Sequence, residues 1–199
     1  MALDNGAKPE AMHDATPISK APRNQVLLVL RLVAFFATAA ATVIMALNKQ
    51  TKTMVVATIG STPITATLTA KFQHTPAFVY FVIVNGMASL HNLIMIIVEI
   101  WGDKFDYKGL RLVMIAILDM MTVSLASGGD GAATFMAELG KNGNSHARWN
   151  KICDKFGTFC DHGGGAIISS FVGLLLLVII TTLSIGRLVK PRPATLSLV

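Results

Sequence analysis

Four long apolar runs partition the chain, at about 26–47, 77–100, 110–126 and 166–185. A helix of about 20 apolar residues crosses the ~30 Å hydrocarbon core of a bilayer, and each run is near that length. Arg31 lies inside the first run and Asp119 inside the third. An ionised side chain at mid-bilayer costs about 2.5–3.5 kcal/mol even on insertion scales. The chain therefore reads as an all-α membrane protein, a four-transmembrane-helix bundle, whose two intramembrane charges are paired, hydrated or functional.

Composition agrees. Hydrophobic residues make up 53% of the chain and charged residues 14%, with a mean hydropathy of +0.59, which is too apolar for a soluble domain of this size. The charge, 17 Lys and Arg against 11 Asp and Glu, is concentrated between the runs. They form no basic stripe interleaved with aromatics, so nucleic acid is not an expected partner; the lipid bilayer is. Basic density is higher in 1–25, 101–109 and 186–199 than in the other two connections. The positive-inside rule then places both termini in the cytosol and 48–75 and 127–165 outside.

The domain plan follows. Residues 1–25 are polar, hold Pro9, Pro17 and Pro22, and read as a disordered cytosolic tail. Residues 26–185 form the membrane domain, and 186–199 a second cytosolic tail. In the first outer connection, 53–60 and 64–70 are rich in β-branched residues and are separated by Ser61, Thr62 and Pro63. That pattern predicts a short extracellular β-hairpin. The connection 101–109 is long enough only for a turn, with Trp101 and Tyr107 suited to the membrane interface. The last outer connection opens on Ser127, Gly128, Gly129, Asp130 and Gly131, and 131–141 can extend helically above the third span.

That connection also holds both cysteines, Cys153 and Cys160. In an oxidising compartment they are expected as a disulfide that shapes a small local loop. Two free thiols are the alternative. A metal site with His162 fits less well, because the zinc-type CxxC spacing is missing.

Helical spacing sorts the polar residues within the spans. Asn85, Ser89, Asn92 and Glu99 fall on one face of the second span and are expected to look into the bundle, with His91 about 100° from Asn92. His91 reads as a hydrogen-bonded interior imidazole or as a proton relay. Gly165, Ser169 and Gly173 recur every four residues in the fourth span and let a neighbouring backbone approach. Arg31 lies about 8 Å into its span and Asp119 about 14 Å from the same surface, at 1.5 Å per residue. The length of an arginine side chain covers the difference, so the two are expected to form an intramembrane ion pair. Snorkelling to head groups is an alternative for Arg31, but Asp119 is too short and too deep for it.

Several features together resemble a known family. These are Arg31 and Asp119 in the first and third spans, FQHTPAFVYFV at 72–82, and GNSHARW running into WNKICDKFGTFC at 143–160. From about residue 24 to 188 the chain is similar to the Casparian strip membrane domain proteins and their CASP-like relatives, most of all to group one. These are plant four-span proteins distantly similar to the MARVEL tetraspans. The Casparian strip proteins proper carry a Pro- and Phe-containing signature in the first outer loop, where this chain reads ATLTAKFQHTPAF. The resemblance therefore does not reach the strip itself. It implies a plasma-membrane scaffold that forms homodimers and heterodimers with relatives, organises membrane domains and recruits cell-wall-modifying enzymes outside.

The residues alone leave other classes open. A small channel or proton-coupled transporter would use Arg31, Asp119 and His91, although no internal repeat or pair of broken helices is apparent. For an enzyme, no nucleophile–base motif, metal-ligand set or phosphate loop is visible, and no cofactor is expected. A non-catalytic scaffold is the reading that both the residues and the resemblance support.

Overall fold

The computed structural model describes residues 21–101 and 110–189, with side chains from Gln25 onward. The N-terminal tail up to residue 20, the 102–109 connection and the C-terminal tail from 190 lie outside the described residues.

Each apolar run lies within one helix: α1 (Ala21–Ala46), α2 (Pro76–Trp101), α3 (Leu110–Asn142) and α4 (Gly157–Val189). All four are long and apolar enough to cross a membrane. A lipid core offers no water to backbone amides, so each crossing segment must satisfy its own hydrogen bonds, as a helix does. Pro76 opens α2 at a position where a missing N–H costs nothing. The helices pack in a ring: α1 on α2 and α4, α3 on α2 and α4, with α1 and α3 across the diagonal.

Between α1 and α2 stands an antiparallel hairpin, β1 (Lys49–Ile59) and β2 (Thr62–Lys71). It reaches further at its root than the 53–60 and 64–70 pattern, starting at Lys49 and ending at Lys71, and β2 begins two residues earlier, at Thr62. Its turn is Gly60–Ser61, and the positive φ of 62° at Gly60 is what a type II′ turn needs at its first central position. A register shift between Val55 and Ala57 marks a bulge. A single 3₁₀ turn, Phe72–His74, leads from β2 to α2.

In the last connection the helical extension expected over 131–141 is present, but the loop is shorter than 127–165 at both ends. Helix α3 runs on through Gly128, Gly129 and Gly131 to Asn142, and α4 begins at Gly157. Local propensity disfavours glycine in a helix by about 1 kcal/mol each, but packing decides here. A Cβ on Gly129 would come within 2.4 Å of Val84 Cγ2 and 3.6 Å of the Phe81 Cα, so the bare backbone is what lets α3 lie against α2. The helix ends instead at Gly143, whose φ is 69° and whose N–H donates to the Leu139 carbonyl at 2.8 Å. At 33 residues, α3 and α4 are each about 50 Å long, so their outer ends stand clear of a ~30 Å core.

Those outer ends and the hairpin root share an apolar cluster that includes Met45, Phe78, Phe81, Phe156, Phe159 and Ile167. The rings of Phe78 and Phe159 are 6.2 Å apart between centroids. The Cys153–Cys160 disulfide joins the short loop to the first turn of α4, and the Gly140 carbonyl accepts from the Ile152 and Cys153 amides. Asn48 Nδ2 donates to the Phe159 carbonyl at 2.8 Å, and Gln50 Oε1 accepts from the Phe159 amide at 2.9 Å. The hairpin is thereby anchored on α4.

The small-residue stripe of α4 divides. Ser169 Oγ donates to the Ala37 carbonyl at 2.9 Å, and a Cβ on Gly173 would lie 2.7 Å from Thr38 Cγ2, so both sit against α1. Gly165 does not take part in this packing: it is exposed, with nothing within 4 Å of a Cβ built there. The reason is rotational. A four-residue step turns the helix by about 40°, so Gly165 is some 80° from Gly173. Gly173→Val should therefore cost about 1–3 kcal/mol by overpacking. Gly165→Val should stay within about 0.5 kcal/mol. Thermal unfolding of the detergent-purified variants checks the contrast, and equal losses would contradict this packing.

Candidate functional site

Arg31 and Asp119 have no exposed surface. Arg31 sits on the α1 face that also buries Leu27, Ala34, Thr38 and Ala41, at the spacing of one helix side. Asp119 shares the buried side of α3 with Ala116 and Ala126. The guanidinium reaches across the diagonal and donates through Nη1 to Asp119 Oδ1 at 3.0 Å and through Nη2 to Oδ2 at 2.7 Å. This is the bidentate geometry in which arginine recognises a carboxylate best.

The two remaining helices complete the site. His91 Nε2, on α2, lies 2.7 Å from Asp119 Oδ1, and Ser184 Oγ, on α4, lies 3.1 Å from Oδ2. A carboxylate facing a guanidinium only accepts, so His91 must carry a hydrogen on Nε2, which assigns its tautomer from the network. Asp119 thus receives a donor from every other helix and fills its four acceptor positions. Glu99 stands at the edge of the cluster, with Oε1 3.8 Å from Arg31 Nε and 3.9 Å from Arg187 Nη1. At those distances the contacts are electrostatic and are not hydrogen bonds. Arg111 Nη2 donates to the Val98 carbonyl at 2.7 Å and ties the start of α3 to the end of α2.

Along the α2 face, Asn85 and Asn92 are fully buried, while Ser89 and Glu99 are half-buried. Asn92 Nδ2 and Ser89 Oγ bond to carbonyls of their own helix, at Ala88 and Gly86. Asn85 belongs to a second polar cluster nearer the hairpin. Ser170 Oγ lies 2.7 Å from Asn85 Oδ1 and 2.5 Å from Asp130 Oδ1, and Asn85 Nδ2 donates to the Phe81 carbonyl at 3.1 Å. One serine hydroxyl has one hydrogen, yet both partners are oxygens. The amide orientation of Asn85 is set by Phe81, so the second hydrogen comes from the Asp130 carboxyl.

The sequence reading missed Ser184, Asp130 and Ser170 as site members. A serine in an apolar helix gives little signal, since it can bond its own backbone. Its glycine neighbours place Asp130 in an expected loop. A better signal was available in its spacing: Asp130 is eleven residues after Asp119, three turns on, and shares its face.

Four membrane-length helices and two buried clusters that bridge them define a polytopic membrane protein with a cross-braced interior. Its family is equally clear: the chain belongs to the Casparian strip membrane protein domain family, whose profile matches residues 20–176. It is 68% identical to CASP-like protein 1B2 of Populus trichocarpa over 194 residues, covering 97% of this chain and 96% of the relative. It is 67% identical to CASP-like protein 1B1 of Ricinus communis over 194 residues, covering 96% and 95%. With CASP-like protein 1B2 of Arabidopsis thaliana it shares 62% over 164 residues, covering 82% and 83%. No solved structure matches it.

Removing one partner of a buried ion pair typically costs about 3–5 kcal/mol, because the other charge is left behind. Arg31→Ala should show that full loss as reduced folded yield on size-exclusion chromatography. Asp119→Ala should cost less, because Arg31 still faces Glu99 and can extend toward head groups. Asp130→Asn should be tolerated within about 1 kcal/mol, because an amide can donate to Ser170 as the protonated acid does. If Asp130→Asn were as damaging as Arg31→Ala, the hydrogen count at Ser170 would be wrong.

Proposed function

We propose that the protein is a non-catalytic scaffold of the plasma membrane, with both termini cytosolic, that self-associates and associates with related chains. On this reading it organises a membrane domain and holds wall-modifying partners on the hairpin side. The observation that carries it is the saturation of Asp119. Its two oxygens are engaged by three other helices, which suits a fixed frame better than a group that must change partners to pass an ion.

Helix α3 supports the self-association part. It is the least buried of the four spans. Ser124, Ser127 and Gly131 are exposed on one of its faces, and a Cβ on Gly131 would meet nothing within 4 Å. Small residues at this spacing let the backbone of a second helix come close, where van der Waals packing drives association. Gly131→Leu fits within the single chain, so it should leave folding intact and weaken self-association several-fold, measured by energy transfer between tagged copies in vesicles. In cells, photobleached wild type should recover slowly within a bounded patch and Gly131→Leu faster. A proton or ion flux through wild-type liposomes that Asp119→Asn abolishes would replace the scaffold with a transport path.

A further inference from the structure

The hairpin carries a like-charge pair that its own folding does not explain. Lys49 and Lys71 are direct cross-strand partners at its root. Like charges directly opposite each other destabilise a strand pair. Neither lysine makes an ion pair with any described residue, and residues 48–75 contain no Asp or Glu. Above the lysines the same face continues as Thr51 opposite Thr69 and Thr53 opposite Thr67, with hydroxyl oxygens 3.0 and 2.9 Å apart. Val55 opposite Thr65 ends the row before the bulge.

This face points away from the bundle. The alternate residues occupy the other side: Gln50 is bonded to Phe159, and Met54 and Ala70 pack on the outer apolar cluster. Lys49, Thr51, Thr53 and Thr67 are exposed, and Thr69 and Lys71 are half-buried. Each threonine pair spends one hydrogen internally. One O–H per pair therefore remains to donate outward, and lone pairs remain to accept. From the lysines to the Thr53–Thr67 pair the row runs about 13 Å at 3.3 Å per residue.

We infer that this face binds a linear acidic polysaccharide, a chain of uronic acid residues, lying along the ribbon. Charge complementarity sets the sign of the ligand, because two ammonium groups stand together with no carboxylate near them in the hairpin. The row of hydroxyls sets its kind, since a sugar acid offers a carboxylate and ring hydroxyls at every residue. Length argues against a single phosphate or lipid head group, which would occupy only the lysine end. Phosphate sites gather converging backbone N–H groups in a concavity, whereas the N–H groups of this ribbon are used in its strand pairing. The inference does not depend on self-association.

The test uses the full chain in nanodiscs of zwitterionic lipid, titrated with de-esterified polygalacturonate and with the methyl-esterified form of the same polymer. Wild type should bind the acidic form, and added salt should weaken that binding. Lys49→Gln with Lys71→Gln should weaken it about tenfold, which corresponds to roughly 1.4 kcal/mol for the two charges together. Because repulsion is relieved, that variant should unfold no earlier than wild type. Thr53→Val with Thr67→Val, which keeps β-branched residues, should weaken binding several-fold. Lys52, opposite Leu68, points to the other side, so Lys52→Gln should lose less than twofold. Equal binding of the esterified polymer would overturn the inference, as would an equal loss in Lys52→Gln. So would binding of anionic-lipid vesicles alone, with none to the polymer.

Discussion

Everything in the membrane half of this protein depends on one carboxylate. Asp119 cannot be ionised in lipid without partners, and its partners come from α1, α2 and α4. Apolar packing alone would not choose among rotations of the four helices, because lipid tails satisfy an apolar surface as well as a neighbouring helix does. A carboxylate with four donors at 2.7 to 3.1 Å does choose. It fixes which side of each helix faces inward. Such a cluster is weak evidence for stability but a strong determinant of register, in the way a buried polar residue sets register in a coiled coil.

The outer half is held by different means. There Phe78, Phe156 and Phe159 pack where α3 and α4 have left the hydrocarbon core, and the disulfide and the Asn48 and Gln50 bonds tie loop, hairpin and helix together. Between the halves lies the Asn85–Ser170–Asp130 group, a neutral polar contact between α2, α3 and α4. The polarity of each tie follows its surroundings: ionic in the membrane half, aromatic and covalent at the hairpin end.

The spans were legible because hydrocarbon thickness and helical rise leave little freedom in how a twenty-residue apolar run is used. The hairpin was legible from its β-branched residues, and its turn centre only approximately: Pro63 drew attention, but the reversal is made by Gly60. The extension of α3 over 131–141 was legible, but its unbroken course through 127–131 and the start of α4 at Gly157 were not. Their glycines break helices by local propensity, and only a neighbour such as Val84 or Thr38 at the missing Cβ explains why they are helical. The same blindness hid Ser170 and Ser184, whose roles exist only once another helix supplies a carboxyl group. Arg31 and Asp119 stood out because the cost of a charge in lipid is large enough to be read one residue at a time. His91 stands out for the same reason, but helical spacing alone does not give the direction it points.

Helix α1 takes part in both ties. Arg31 engages the carboxylate near one end, and Met45 lies in the aromatic cluster near the other, about 21 Å away along the axis. A rod pinned at two separated points can neither slide nor tilt without breaking one of them. The hairpin springs directly from the end of that rod. A sideways pull on the ribbon, by anything that holds it, would therefore be borne by the bundle as a lever is borne by its fulcrum. The strain would reach the far half of the bundle as a displacement of Arg31.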